Sequence, residues 1–149
     1  MIKIINGNLI SLAKNSDFDV IIHGCNCFGA DSQKGISKKI FEAFPEARIA
    51  DSKTAKGDVY KLGDYSYCYI KSLRLTIVNL YTQYEPGLNF EYTALGLALR
   101  NLANALNGDE IIGMPLIGAG VNRGNSEQIL EIIKTELDSF NVTIIKETI

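Results

Sequence analysis

The sequence predicts an α/β fold in which helices cover a central mixed or largely parallel sheet of about six strands. Short β-branched runs alternate with segments of helical spacing, and glycine-containing loops follow directly on several of those runs. The 149 residues suit one domain, 1–149, able to bury roughly two thirds of its unfolded surface.

The first β-like run is Ile2–Ile5, followed by the polar turn "NGNLIS". The second, Val20–His23, leads into "HGCNCFGADSQKGIS", which holds the only histidine in the chain and two of its three cysteines. Ile36, Ile40, Phe41 and Phe44 then mark one apolar helix face. Tyr65–Ile70 and Leu75–Leu80 form a third and fourth run, the latter ending in "NLYTQYEPG" with Thr82 and Gln83. Tyr92, Leu95, Leu99, Leu102 and Leu106 mark a second helix face. Glu110–Met114 leads into "PLIGAGVNRG" and a helix from about Ser126, whose face carries Ile129, Ile132, Ile133 and Leu137. Val142–Lys146 closes the chain as a sixth strand. In open α/β sheets, ligands bind beyond the carboxyl ends of the strands, which places the opening loop and "IGAGVNRG" at one end of the sheet.

Composition narrows the function classes. The formal charge is −2 and no Lys/Arg cluster stands out, so no nucleic-acid polymer is expected as a partner. A phosphorylated small molecule remains compatible, because backbone amides bind it without net charge. The N-terminus lacks a basic, then apolar, leader, and no apolar stretch nears the roughly 20 residues of a membrane span. Three free thiols in a reducing, cytoplasmic compartment are the expectation, with no membrane partner.

Three chemistries compete for the His23–Ser37 stretch. Zinc would need more ligands than His23, Cys25 and Cys27 supply, since Cys68 stands alone; no metal is expected. A thiolate–imidazole pair of Cys25 or Cys27 with His23 is a second reading, against cysteine's habit of packing as a small hydrophobe. The third is a cradle for a polar ligand. "GAGVNRG" carries Gly118, Gly120 and Gly124 between a strand and a helix, where consecutive amides bind phosphate oxygens. It is neither a P-loop nor a dinucleotide fingerprint, and a glycine-rich turn without a ligand fits the same composition. The rim as a whole offers amides, hydroxyls and glycines rather than paired carboxylates.

With these loops in this order, the chain resembles a macrodomain, the ADP-ribose-binding α/β/α module, over essentially its whole length. "NGNLIS", "IIHGCNCFGADSQKGISKKIFEAFP" and "MPLIGAGVNRGN" carry the likeness, and His-x-Cys-Asn-Cys is most similar to the branch of yeast-type and phage ADP-ribose 1″-phosphate phosphatases. The resemblance implies a three-layer fold and an ADP-ribose derivative as small-molecule partner, with no cofactor. Asn8, beside Leu9, stands where the family has an aspartate accepting the adenine amine. Asn26 would hold the distal ribose, with His23 near it as acid or base; these two are the candidate catalytic residues. Gly35, Ile36 and Ser37 would lie along the diphosphate or distal ribose, and Gly118, Ala119, Gly120, Val121 and Asn122 would wrap the diphosphate, with Thr82 and Gln83 on the rim. Asp31 and Lys34 could reach a terminal phosphate or face solvent.

The implied activity is removal of the terminal phosphate of ADP-ribose 1″-phosphate. A non-catalytic ADP-ribose reader and an eraser of ADP-ribose from macromolecules share the same pocket. The eraser's lysine and aspartate positions correspond to Gln83 and Asn122. A lone histidine ending an apolar strand also reads as a core group satisfied by a carbonyl.

Overall fold

A computed structural model of the chain describes residues 1–120 and 124–147. Six strands, β1 (Ile2–Gly7), β2 (Val20–Asn26), β3 (Tyr65–Ile70), β4 (Leu75–Gln83), β5 (Ile111–Met114) and β6 (Asn141–Glu147), form one sheet in the order β1-β6-β5-β2-β4-β3. Every neighbouring pair is parallel except β3–β4, so the sheet is mixed, as expected.

Five helices cover it: α1 (Leu9–Lys14), α2 (Gly35–Ala43), α3 (Pro45–Ser52), α4 (Tyr92–Ala105) and α5 (Ser126–Glu136). On one face Leu95, Leu99 and Leu102 of α4 and Ile129 and Ile133 of α5 meet Ile22, Val78, Leu80, Ile112 and Ile144. On the other, Leu9 of α1, Ile40 and Phe41 of α2 and Ala47 of α3 meet Ile21, Ile77, Tyr81 and Ile145. Alternate residues of the strands supply the two cores, which is the period-2 rule applied to strands buried on both sides.

The structure extends the sequence reading in three places. β2 and β4 continue three residues further than their apolar runs, to Asn26 and Gln83, so polar residues ride on strand ends. α1 is only six residues long, started by Asn8, whose Oδ1 accepts from the Ser11 amide. α3 follows α2 almost without a break because Pro45 sits in its first turn, where a missing N–H costs nothing.

The topology fixes where a ligand can lie. β2 and β5 are neighbours, yet β2 runs on to α2 against one core and β5 to α5 against the other. Their connections therefore diverge, and a crevice opens between their carboxyl ends. The β2–β5 ladder runs Val20↔Ile112 and Ile21↔Gly113, while β2 continues along β4 to Asn26.

Candidate functional site

A cleft of about 660 Å³ occupies that crevice, within the range of small-molecule sites. It is lined by the end of β2 (Gly24–Asn26), the 32–37 segment, Thr82 and Gln83, the loop after β5 (Pro115–Gly120), Ser126, and Ile145, Lys146 and Glu147 of β6. Three strand spacings separate β6 from β4, roughly 14 Å. The cleft is therefore elongated across the sheet.

Glycines shape both walls. Gly24 leaves room for Ile117, whose Cγ2 would stand 2.6 Å from a Cβ there. Gly118 has φ of 85°, and a Cβ on it would lie 2.5 Å from the Phe90 ring. The loop after β5 closes on itself through the Gly124 amide, which donates to the Gly118 carbonyl at 2.6 Å. On the other wall, the Ser37 hydroxyl donates to the Gly24 carbonyl and fastens the first turn of α2 to β2. No side chain caps that helix N-terminus at Lys34, and the Lys34–Ser37 turn lines the cleft. Lys34 and Lys39 flank it and line the same space.

At the β4 end, Cys25 opposes Tyr81 and Asn26 opposes Gln83, so Thr82 is the extra residue of a bulge. Such bulges re-aim side chains at strand ends. Gln83 uses its Nε2 to donate to the Glu85 and Gly87 carbonyls, folding the β4–α4 loop over the rim.

Of the residues singled out from the sequence, Asn26, Gly35, Ile36, Ser37, Thr82, Gln83, Gly118, Ala119 and Gly120 come together in the cleft. Val121 and Asn122 lie outside the described residues. Lys34 lines the cleft, whereas Asp31 pairs with Arg48 at 2.7 Å on the surface. Asn8 spends its oxygen on the α1 cap and is not among the described lining residues. Leu9 is a core side chain whose amide donates to Glu147 Oε1 at 3.1 Å, so the carboxylate at that end of the cleft comes from Glu147.

His23 is placed elsewhere. It shares a face with Ile21 and Cys25, fully buried against Phe41, with ring centroids 5.1 Å apart. Asn79 donates its amide protons to the Ala47 carbonyl and the Ser66 hydroxyl, so its Oδ1 is the acceptor for His23 Nε2–H at 2.6 Å. That leaves Nδ1 unprotonated toward Cys25 Sγ at 3.7 Å. Burial lowers the imidazole's pKa to about 4 against the Asn79 bond, and burial raises that of the Cys25 thiol. Both groups are neutral, which leaves no thiolate–imidazole pair, and the imidazole is fully buried and does not line the cleft. Cys27, with its pKa pushed up to about 11 chiefly by burial, stays a thiol as well.

The same core face holds a connected polar layer. Tyr81 OH donates to Asp51 Oδ1 and lies 2.9 Å from Ser66 Oγ, and Lys61 Nζ donates to Thr54 Oγ1 at 2.6 Å while standing 4.7 Å over the Tyr81 ring. Among the described residues no buried side-chain polar atom lacks a partner. Sequence reasoning passed over several cleft residues, among them Gln33, Lys39, Ile145 and Glu147. Glu147 is the parallel partner of Gly7, a pairing that only strand order reveals.

No protein-family model matches the chain. A 17.5 kDa protein from the tk-vs intergenic region of Enterobacteria phage T4, described as uncharacterized, is 37% identical over 155 aligned residues, spanning 97% of this chain and 96% of that protein. This chain belongs to the same family as that phage protein. Among solved structures, the macrodomain of Mycobacterium tuberculosis DarG superposes with a TM-score of 0.77 at 16% identity, covering 99% of each chain. Thermosipho africanus DarTG, solved in complex with ADP-ribose, superposes with a TM-score of 0.76 at 13% identity, over 99% of this chain and 42% of that one. The fold of this phage-protein family member is the macrodomain fold.

Proposed function

We propose that the protein binds ADP-ribose and its derivatives in the β2–β5 cleft. The observation that carries this reading is the convergence, in one elongated cleft, of the Gly118–Gly120 loop and the uncapped first turn of α2. Amides on both walls suit a diphosphate, which needs donors on more than one side. The roughly 14 Å from β6 to β4 suits a ligand with a base at one end and a sugar at the other. The base lies at the β6 end, where Ile145 offers an apolar surface and Glu147 an acceptor for an exocyclic amine. The distal ribose lies at Asn26.

A second reading adds chemistry: hydrolysis of ADP-ribose 1″-phosphate to ADP-ribose and phosphate. Lys34 and Lys39 favour it, since they add positive charge beside the α2 N-terminus where a further phosphate would sit. His23 has no part in either reading. Orientation of the ester and electrostatic stabilisation by Asn26, the loop amides and the lysines would have to carry the reaction.

Phosphorus NMR tests both together. Addition of protein to ADP-ribose is expected to shift the diphosphate resonances, and addition to ADP-ribose 1″-phosphate to release inorganic phosphate over time. Shifts with no phosphate release would leave a reader of ADP-ribose. Unchanged spectra with both compounds would remove the binding reading itself.

A further inference from the structure

Gln33 is 5% exposed and belongs to no helix or strand. Its carboxamide nevertheless makes the pair of bonds that a neighbouring strand would make. Oε1 accepts from the Asn26 amide at 3.0 Å, and Nε2 donates to the Asn26 carbonyl at 3.2 Å. A substitute is needed there because the β2–β5 ladder ends at Ile21↔Gly113, well short of Asn26. The same Nε2 also stands 3.0 Å from the Gly29 carbonyl and 3.2 Å from Asn26 Oδ1, so its two protons are shared among three acceptors.

The last bond has a consequence for the ligand. Asn26 Oδ1 additionally accepts from the Phe28 amide at 2.8 Å and lies 2.7 Å from the Ser32 hydroxyl, whose single proton is shared with the Gly29 carbonyl at 2.6 Å. The Phe28 N–H and the Gln33 Nε2–H, which can only donate, determine which way the carboxamide is turned. Nδ2 has two protons, and one goes to the Ser32 carbonyl at 3.3 Å. The second makes no further bond among the described residues, and Asn26 lines the cleft.

We infer that Gln33 is a positioning residue, which holds Asn26 so that it meets the ligand as a hydrogen-bond donor and thereby selects an oxygen, a hydroxyl or phosphate oxygen, on the distal sugar. This rests on the ADP-ribose reading of the cleft. Gln33 borders the cleft but spends its carboxamide on Asn26 and Gly29, so it acts through Asn26. ADP, which ends at the diphosphate, lacks the second ribose that this reading sets at Asn26, so the effect of Gln33 is confined to ligands carrying that ribose.

Calorimetric titration of ADP-ribose and ADP into wild type, Gln33→Met and Gln33→Glu tests the assignment. Methionine keeps the volume and loses all four bonds. Glutamate keeps the acceptor for the Asn26 amide and sets a carboxylate against Asn26 Oδ1 and its carbonyl. Both variants are expected to lose about tenfold in ADP-ribose affinity, the scale of one lost hydrogen bond, while ADP binds within twofold of wild type. Equal losses for both ligands, or none for either, would overturn the positioning role.

A measurement on wild type avoids any folding defect in the variants. In ¹⁵N-labelled protein the Asn26 side-chain amide signal should move on adding ADP-ribose and stay in place with ADP. A signal that stays in place with both, although ADP-ribose binds, overturns the role of Gln33 alone. Absence of binding by either ligand overturns the cleft reading, and the proposal falls with it.

Discussion

Two polar clusters hang from the same strand, three residues apart. His23 heads one, with Asn79, Ser66, Tyr81 and Asp51 behind it, and Asn26 heads the other, with Ser32 and Gln33. Both are densely hydrogen-bonded and almost fully buried except at Ser66 and Ser32, which are partly exposed. They differ in what lies in front of them. The His23 cluster faces α2 and α3 and is filled by Phe41 and Ala47, so its bonds hold one core together. The Asn26 cluster faces the gap that opens where β2 and β5 part, and Asn26, Ser32 and Gln33 all line the cleft there. Side-chain chemistry alone would have ranked the imidazole first. Position on the strand decides otherwise.

The sharpest way to break this contrast is to disturb the cleft wall. Gly118→Val would force a side chain into Phe90 at a backbone φ of 85°. The expected cost is about 4 kcal/mol in urea unfolding, from overpacking and left-handed strain together, with loss of ADP-ribose binding in calorimetry.

The core cluster should reveal itself through pH. His23 is neutral in the folded protein, with a pKa of about 4, and takes up a proton near 6.5 when unfolded. The unfolded chain therefore binds more protons between these values, and stability rises with pH across that window. The His23 contribution is complete above about pH 6.5 and falls by about 3 kcal/mol as pH drops to 4. Denaturation midpoints measured from pH 4 to 7 should show this slope, and His23→Gln should flatten it.

Tyr81→Phe removes the hydroxyl that donates to buried Asp51. We expect about 2 kcal/mol of destabilisation, because the carboxylate loses a partner it cannot replace with water, and ADP-ribose affinity unchanged. A parallel loss of affinity would mean that the two clusters are coupled through β2.

The smallest effect belongs to the exposed lysines. Lys34→Ala and Lys39→Ala should each weaken ADP-ribose binding a few-fold at low salt and leave thermal stability unchanged. The deficit should shrink as ionic strength rises, because salt screens exposed charges.

Much of the fold was legible because strands buried on both faces are continuous apolar runs, and the amphipathic helices carry their faces at regular spacing. The ends of β2 and β4 were not, since Gly24–Asn26 and Tyr81–Gln83 replace aliphatic residues with polar and small ones. α1 is too short to show a period, and α3, begun at Pro45, follows α2 almost without a break. Within the site, the glycine loop and the α2 turn were found because backbone amides at strand ends are recognisable from glycine and loop position. His23 could have been placed by parity, for it alternates in step with Ile21 and Cys25, on the opposite face from Gly24. Gln33 carried no such signal: it lies seven residues beyond Asn26 in a loop without periodicity, and only the folded loop brings the two carboxamides together.

The most direct test of the account is a calorimetric titration of ADP-ribose run side by side on wild type, His23→Gln and Asn26→Ala. The account predicts one-to-one binding by wild type and by His23→Gln with similar affinity, and at least tenfold weaker binding by Asn26→Ala. No binding by wild type would contradict it. So would a folded His23→Gln that has lost affinity while Asn26→Ala binds as wild type does.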